Sequence, residues 1–217
     1  MERLLWLLIG YLCGSFQSGY FLGKAKGLDV RNYGSHSTGA TNSLRVMGTG
    51  AGILVLLLDA AKAIIPCVLA RHFFRGQAEL QLLMVLWTAT GVMLGHDYPF
   101  YLGFRGGKGV ASTVGVLIAL DWRLALAWCL LFIVTCYLFH YVSLSSIMSM
   151  LLLLVLALVF FFRHALPVGA AFQTEFLLLA LFNPLLSIFR HHANIGRLLR
   201  GEESQLHLFT RGMEVKK

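Results

Sequence analysis

Three stretches of this 217-residue chain combine residue types able to hold an anion or move a proton. At 104 to 112 the sequence reads FRGGKGVAS, an arginine and a lysine among glycines. At 32 to 48 it reads NYGSHSTGATNSLRVMG. There Gly34, Gly39 and Gly48 permit tight or left-handed backbone, Ser35, Ser37, Thr41 and Asn42 supply neutral donors, and Arg45 carries a planar fork suited to phosphate or carboxylate. A solvated inter-helix loop with capping hydroxyls is the competing reading. Loops beyond about 12 to 15 residues, however, are mostly functional or disordered. The third stretch, RHHAN at 190 to 194, sets His191, His192 and Asn194 at the end of an apolar run. An imidazole there can act as a base or orient a hydroxyl, or serve only as an interfacial cation.

FRGGKG is not a nucleotide loop. A Walker motif needs Ser or Thr directly after the lysine and a glycine five residues before the second glycine. Here Gly109 and Leu102 occupy those positions. What remains is backbone N–H near a helix start at about Gly109, with Lys108 as a point charge, an arrangement that suits phosphate. Anchoring at a membrane face would explain Arg105 and Lys108, but not Gly106, Gly107 and Gly109. GTGAG at 48 to 52 lacks the final glycine of a dinucleotide turn, so no cofactor is expected. With no HExxH and no compact cluster of histidine and carboxylate, no metal is expected either. Cys13, Cys67, Cys129 and Cys136 are scattered through apolar runs without a CxxC pair and read as buried thiols.

The elements that must position these groups are membrane spans. The chain is 58% hydrophobic and 13% charged with mean hydropathy +0.74, far too apolar for a soluble domain. A net charge of +8 points to phosphates, anionic lipids or acidic substrates as partners, and so few loop residues argue against nucleic acid. Seven apolar segments are expected, at 4–22, 51–70, 80–101, 109–121, 123–141, 147–163 and 168–189, the fourth being short. The start resembles a signal peptide, but Glu2 offsets Arg3 and Leu12 precedes Cys13 where a small residue would be needed, so it reads as the first span.

Of the eighteen lysines and arginines, twelve fall on one side of these spans (Lys24, Lys26, Arg31, Arg45, Arg105, Lys108, Arg190, Arg197, Arg200, Arg211, Lys216, Lys217). Five fall on the other (Arg3, Arg71, Arg75, Arg123, Arg163). That asymmetry predicts an outside N-terminus and a cytoplasmic C-terminus. Parity then gathers residues 23–50, FRGGKG, the YVSLSS loop at 141–146 and RHHANIGRLLRGEE at the cytoplasmic face. Within the second span, Asp59 and Lys62 stand three apart on one helix face and read as a structural ion pair, with an ion pathway as the alternative. The tail from Gly201 reads as an ordinary solvated terminus.

GSFQSGY at 14–20, GSHSTGATNSLRVMG, GHDYPFYLGFRGGKGVAS, SLSS and RHHANIGRLLRG, in that order, resemble the PlsY family of bacterial acyl-phosphate:glycerol-3-phosphate acyltransferases. That family's first block commonly reads GSGNxGATNxLR, so His36 stands here for a glycine and Ser37 for an asparagine. The resemblance implies an all-α, polytopic inner-membrane enzyme of seven helices forming one domain over 1–217. It would move an acyl group from acyl phosphate to the sn-1 hydroxyl of glycerol 3-phosphate, giving lysophosphatidic acid and phosphate, the first acylation of phospholipid biosynthesis. Neither acyl-CoA nor acyl carrier protein would be used directly, and no cofactor is implied. Partners would be the two substrates, membrane lipids and, functionally, the enzyme that makes acyl phosphate.

Carried over residue by residue, the resemblance implies Ser35, Arg45 and Lys108 around substrate phosphate, with His191 and Asn194 near the glycerol and reacting groups. Asn183 is an alternative to Asn194. Gly34, Ser37, Gly39, Thr41, Asn42, His96, Gly106, Gly107, Gly109 and Ser143 complete the expected binding set. Acyl phosphate carries its own leaving group, so direct attack by the glycerol hydroxyl needs no acyl-enzyme. The proton would go to a substrate phosphate oxygen or to His191. The HxxxxD pair of other glycerolipid acyltransferases is absent, since no histidine has an aspartate five residues on. A transporter for a phosphate-bearing solute is the rival reading, but it calls for repeats and a midplane site that the sequence does not display.

Overall fold

The computed structural model describes residues 1–206, and its regular elements there are all helical. In chain order they are α1 (Glu2–Ser15), α2 (Ser18–Ala25), α3 (Ala40–Met47), α4 (Thr49–Phe73), α5 (Ala78–Asp97), α6 (Val110–Leu120), α7 (Trp122–Phe139), α8 (Val142–Phe162), α9 (Gln173–Arg190) and α10 (His192–Leu199). Short 3-10 turns cover Val30–Asn32, Phe100–Leu102 and Ala170–Phe172.

Six stretches among the described residues are long and apolar enough to cross a membrane: 2–25, α4, 78–102, α7, α8 and 170–190. The expected fourth span is present only as the 11-residue α6. At 1.5 Å per residue α6 reaches about 16 Å, whereas the adjoining 18-residue α7 reaches about 27 Å. Both meet at the Asp121 turn, so the other end of α6 stops roughly 10 Å short of α7. The FRGGKG loop that leads into α6 therefore lies sunk among the helices.

Large apolar side chains such as Leu126, Leu130, Ile133 and Val155 cover the outside of the bundle, as expected of a lipid-facing surface. Inside, α1 and α5 approach until backbones touch. A Cβ on Gly10 or Gly14 would fall 2.1 and 2.2 Å from the carbonyl oxygens of Thr88 and Val92, and on Gly91 or Gly95 2.0 and 2.1 Å from those of Leu7 and Tyr11. GYLCG and GVMLG are thus paired small-xxx-small faces, which let helices pack where lipid supplies no hydrophobic drive. The apolar core around Trp6, Cys67, Phe74, Met84 and Val92 fills the space between α1, α4 and α5.

The expected first span is broken. Phe16 is extended and Gln17 leaves the helix, its amide donating to the His96 carbonyl at 3.0 Å and accepting from Thr38 Oγ1 at 2.6 Å. Two further differences matter. Residues 23–50 contain α3, because Gly39 caps a short amphipathic helix, and the expected YVSLSS loop is the first turn of α8. Cys67 and Cys136 are buried, Cys13 and Cys129 half-buried, and all four are free thiols.

Candidate active site

A polar pocket of about 120 Å³ opens where α3, the start of α6, the start of α8 and the α9–α10 junction converge. The segment before α3 builds one wall. Gly34 and His36 are both left-handed, at φ 60° and 55°. His36 therefore takes a conformation that favours glycine, at the position where the resembling family carries glycine. Its Nδ1–H donates to the Arg31 carbonyl at 2.9 Å, which helps hold the turn. Asn42 ties the segment down. Its Oδ1 accepts from the Ser35 amide at 2.8 Å, and its Nδ2 donates to the carbonyls of Val30, Tyr33 and Ser37. Its Nδ2 hydrogens are committed to these carbonyls, so Asn42, which also lines the pocket, holds the cradle in shape. Ser35, Ser37, Gly39, Thr41 and Arg45 all line the pocket.

The FRGGKG loop forms the floor. The amides of Gly106 and Gly107 are spent on the carbonyls of Asp97 and His96, at 3.2 and 3.0 Å. The Gly107 carbonyl accepts from Arg190, and that of Lys108 from Ser187 Oγ at 2.8 Å. Gly106 and Gly107, expected in the binding set, lie outside the pocket lining, as does Gly34, which packs on Asn42. Gly106 and Gly107 are needed for close approach, since a Cβ on Gly107 would fall 1.9 Å from the His96 ring. Gly109, at φ 75°, caps α6 as expected, and Val110 and Ala111 of the first turn, whose amides have no intrahelical partner, line the pocket.

Lys108 Nζ donates to Asn194 Oδ1 at 2.7 Å, and Asn194 Nδ2 in turn donates to Glu203 Oε1 at 2.7 Å. The same carboxylate accepts from Ser143 Oγ at 2.9 Å and pairs with Arg197 Nε at 2.6 Å. Glu203 is buried, which corrects the reading of the tail from Gly201 as plain solvated chain; residues 207–217, including Arg211, Lys216 and Lys217, lie outside the described residues. After α10 the chain turns back toward the pocket, and the Leu206 amide is pinned to the His140 carbonyl at 2.7 Å.

Arg45, Lys108 and Arg197 thus surround one carboxylate. Burial, then repulsion from Arg197, Arg45 and Arg190, lowers Lys108 to about 8, with Glu203 opposing. Burial likewise lowers Arg45. Burial pushes the Glu203 carboxyl up, but hydrogen bonds from Asn194, Arg197 and Ser143 outweigh it and hold it below the usual range. His191, buried at the α9–α10 junction, is lowered to about 4, chiefly by burial with the Lys108 charge adding to it. It is therefore a neutral imidazole near pH 7. Because Ser187 O accepts at 2.7 Å, Nδ1 carries the proton and Nε2 keeps its lone pair.

Of the expected residues, His96, Lys108, Gly109, Ser143, His191 and Asn194 join those of the α3 wall in this one pocket. Asp59 and Glu203 also line it and were not anticipated there. Asn183 does not line it. That residue borders a separate, partly open apolar cavity of about 390 Å³ lined by residues of α5–α9, with its amide on Thr90 Oγ1 and the Leu179 carbonyl. The Asp59–Lys62 pair forms as read, at 2.9 Å. Among the described residues no cluster of three or more His, Cys, Asp or Glu is placed to hold a metal ion.

Comparison with known proteins agrees with this architecture. A family profile described as glycerol-3-phosphate acyltransferase matches residues 4–201. A glycerol-3-phosphate acyltransferase of Prochlorococcus marinus (strain NATL1A) is 40% identical over 94% of this chain and 98% of its own. One from Shouchella clausii (strain KSM-K16) is 39% identical over 92% and 94%. The crystal structure of PlsY, an integral membrane glycerol 3-phosphate acyltransferase in its glycerol 3-phosphate form, superposes with a TM-score of 0.82 at 35% identity, covering 95% of this chain and 96% of that one. Its lysophosphatidic acid form superposes at 0.80. By sequence over nearly its whole length and by fold, this membrane-embedded chain belongs to the glycerol-3-phosphate acyltransferase family.

Proposed function

We propose that this enzyme takes its acyl group from acyl phosphate and places it on the sn-1 hydroxyl of glycerol 3-phosphate, at the cytoplasmic face of the bacterial inner membrane. The carrying observation is the imbalance of the pocket: Arg45 and Lys108 line it beside the first turn of α6, Arg197 pairs with Glu203 at its edge, and its other carboxylate, Asp59, is already matched by Lys62. Such a site calls for further anion, and both substrates bring phosphate. Leu56, Val110, Phe132 and Val142 form an apolar wall of the same pocket, suited to an alkyl chain attached to one of those phosphates. The neighbouring PlsY structures in glycerol 3-phosphate and lysophosphatidic acid forms support the same substrate and product. The bias of basic residues supports an outside N-terminus and seven crossings, with α6 and its sunken loop completing the fourth.

No acyl-enzyme is needed. Neither Ser35 nor Ser143 hydrogen-bonds a histidine among the described residues, and Ser143 donates to Glu203 instead. The glycerol oxygen attacks the acyl carbonyl carbon, the new ester C–O bond forms, and the bond from that carbon to the phosphate oxygen breaks. Lys108, Arg45 and the α6 amides neutralise the departing phosphate. The hydroxyl proton leaves on a phosphate oxygen. His191, held near 4 among cations, is a poor proton acceptor and instead orients the hydroxyl by accepting its hydrogen bond at Nε2. A labile donor of this kind ties the enzyme functionally to the one that makes acyl phosphate.

Purified protein in lipid, given palmitoyl phosphate and radiolabelled glycerol 3-phosphate without acyl-CoA, should form labelled lysophosphatidic acid; folded protein that does not would defeat the donor assignment. His191→Gln should lower turnover while leaving the shape of the pH profile unchanged. Loss of an acidic limb from that profile would restore His191 as the base.

A further inference from the structure

Lys62 lies in the middle of α4, and its ammonium meets three acceptors: the Phe16 carbonyl at 2.6 Å, Asp59 Oδ1 at 2.9 Å and His96 Nδ1 at 2.8 Å. Each has a reason to be there. The Phe16 carbonyl is freed by the break between α1 and α2, and Asp59 also accepts from Ser18 Oγ at 2.9 Å and supplies the counter-charge. An ammonium has three N–H bonds and no lone pair, so all three donors are used and His96 Nδ1 must be the acceptor. The ring proton then sits on Nε2. That nitrogen makes no hydrogen bond among the described residues, packs over Gly107 and belongs to a ring that lines the polar pocket. His191 faces the same pocket in the opposite tautomer, with Nδ1 donating to Ser187 O and Nε2 free to accept.

We propose that Lys62 is a positioning residue: by donating to Nδ1 it locks His96 as the Nε2–H tautomer, making the ring a neutral donor to a substrate phosphate oxygen in the pocket. The second half rests on the phosphate reading above; the first does not. The lysine and aspartate cancel, so the unit adds a hydrogen-bond donor without adding charge to a site already rich in cations. A pair of histidines of opposite tautomer then divides the work: His96 donates to phosphate and His191 accepts from the glycerol hydroxyl.

The tautomer is read directly by nitrogen NMR of histidine-labelled protein in nanodiscs, with the His96 signals assigned by difference against His96→Gln. An unprotonated Nδ1 and a protonated Nε2 in ligand-free protein are expected, and a protonated Nδ1 would overturn the lock whatever the enzyme's substrate. The phosphate half is read by inorganic phosphate as a competitive inhibitor. His96→Gln keeps an amide donor near Nε2, whereas His96→Asn places it near Nδ1. The Asn variant should bind phosphate roughly ten- to a hundredfold more weakly, the loss of one hydrogen bond to a charged group, with the Gln variant falling between it and the parent. Lys62→Met alone strands Asp59, so the paired Lys62→Met/Asp59→Asn variant is the one to use. It should show mixed His96 tautomers and a raised KM for glycerol 3-phosphate with a smaller change in kcat. Equal phosphate affinity in parent, Gln and Asn variants would refute the donor role while leaving the acyl-transfer assay to judge the function itself.

Discussion

Two buried charge clusters stand side by side in this molecule. Asp59, Lys62 and His96, between α4 and α5, are 1%, 8% and 2% exposed, and the ammonium is surrounded by partners that all accept from it. Arg45, Lys108 and Arg197, at helix ends and loops, converge on Glu203, with the buried Asp97 carboxylate also within electrostatic reach of Lys108. The first cluster is balanced and closed, and the second is short of negative charge. In a low-dielectric interior a balanced cluster sets geometry, whereas an unbalanced one retains an appetite for an anion.

Breaking the balance of the closed cluster should have the largest effect. Asp59→Ala strands an ammonium inside a span and should destabilise the protein by about 3–5 kcal/mol. Thermal unfolding in detergent measures this, and the Lys62→Met/Asp59→Asn pair should recover most of the loss. In the open cluster, Lys108→Ala should lower kcat/KM about 10²–10³-fold with little change in unfolding temperature. Near-normal turnover would remove Lys108 from phosphate binding.

A smaller, graded effect follows from pH. On the proposed function Lys108 binds phosphate as the ammonium, and its value is lowered to about 8, so affinity for phosphate-bearing substrate should be full below that pH and decline above it. Each pH unit beyond the midpoint should cost up to about tenfold for this one group. Between about 8 and its usual 10.5 the unfolded chain holds more protons at this lysine, so its contribution to folding stability rises with pH over the window where binding falls. Glu203 supports the charged lysine, so Glu203→Gln should shift the alkaline limb of KM to lower pH; an unmoved limb would separate Glu203 from Lys108. The least effect is expected at Arg105, an exposed residue outside the pocket lining, where Arg105→Gln should change kcat/KM by no more than about twofold.

Much of the site was legible because its groups lie in compact blocks. GSHSTGATNSLR, FRGGKG and RHHAN announce donors and cations through residue type, and the basic residues on alternate loops assign them to one face. Lys108, Arg45, Ser35 and His191 need no structure to be nominated. Glu203 was missed because it matters only after α10 ends and the chain folds back over Asn194, a return no local pattern signals. Asn42, Gly106 and Gly107 entered the expected binding set through the resemblance, and the structure adds that their polar atoms or missing side chains also hold the loops themselves. GYLCG and GVMLG carried a readable spacing, but only packing reveals that they face each other.

Hydropathy and charge are sums along the chain, so sequence alone determined that this protein lives in a membrane, roughly where it crosses, and which loops share a side. Partnership is not such a sum. Lys62 meets His96 across 34 positions and Lys108 meets Asn194 across 86, and those meetings depend on how closely α1, α4 and α5 can approach and how short α6 is. Tertiary packing alone decided which cations were cancelled and which were left open to an anion, because in a buried site a group's role is set by which donors and acceptors lie within hydrogen-bond reach.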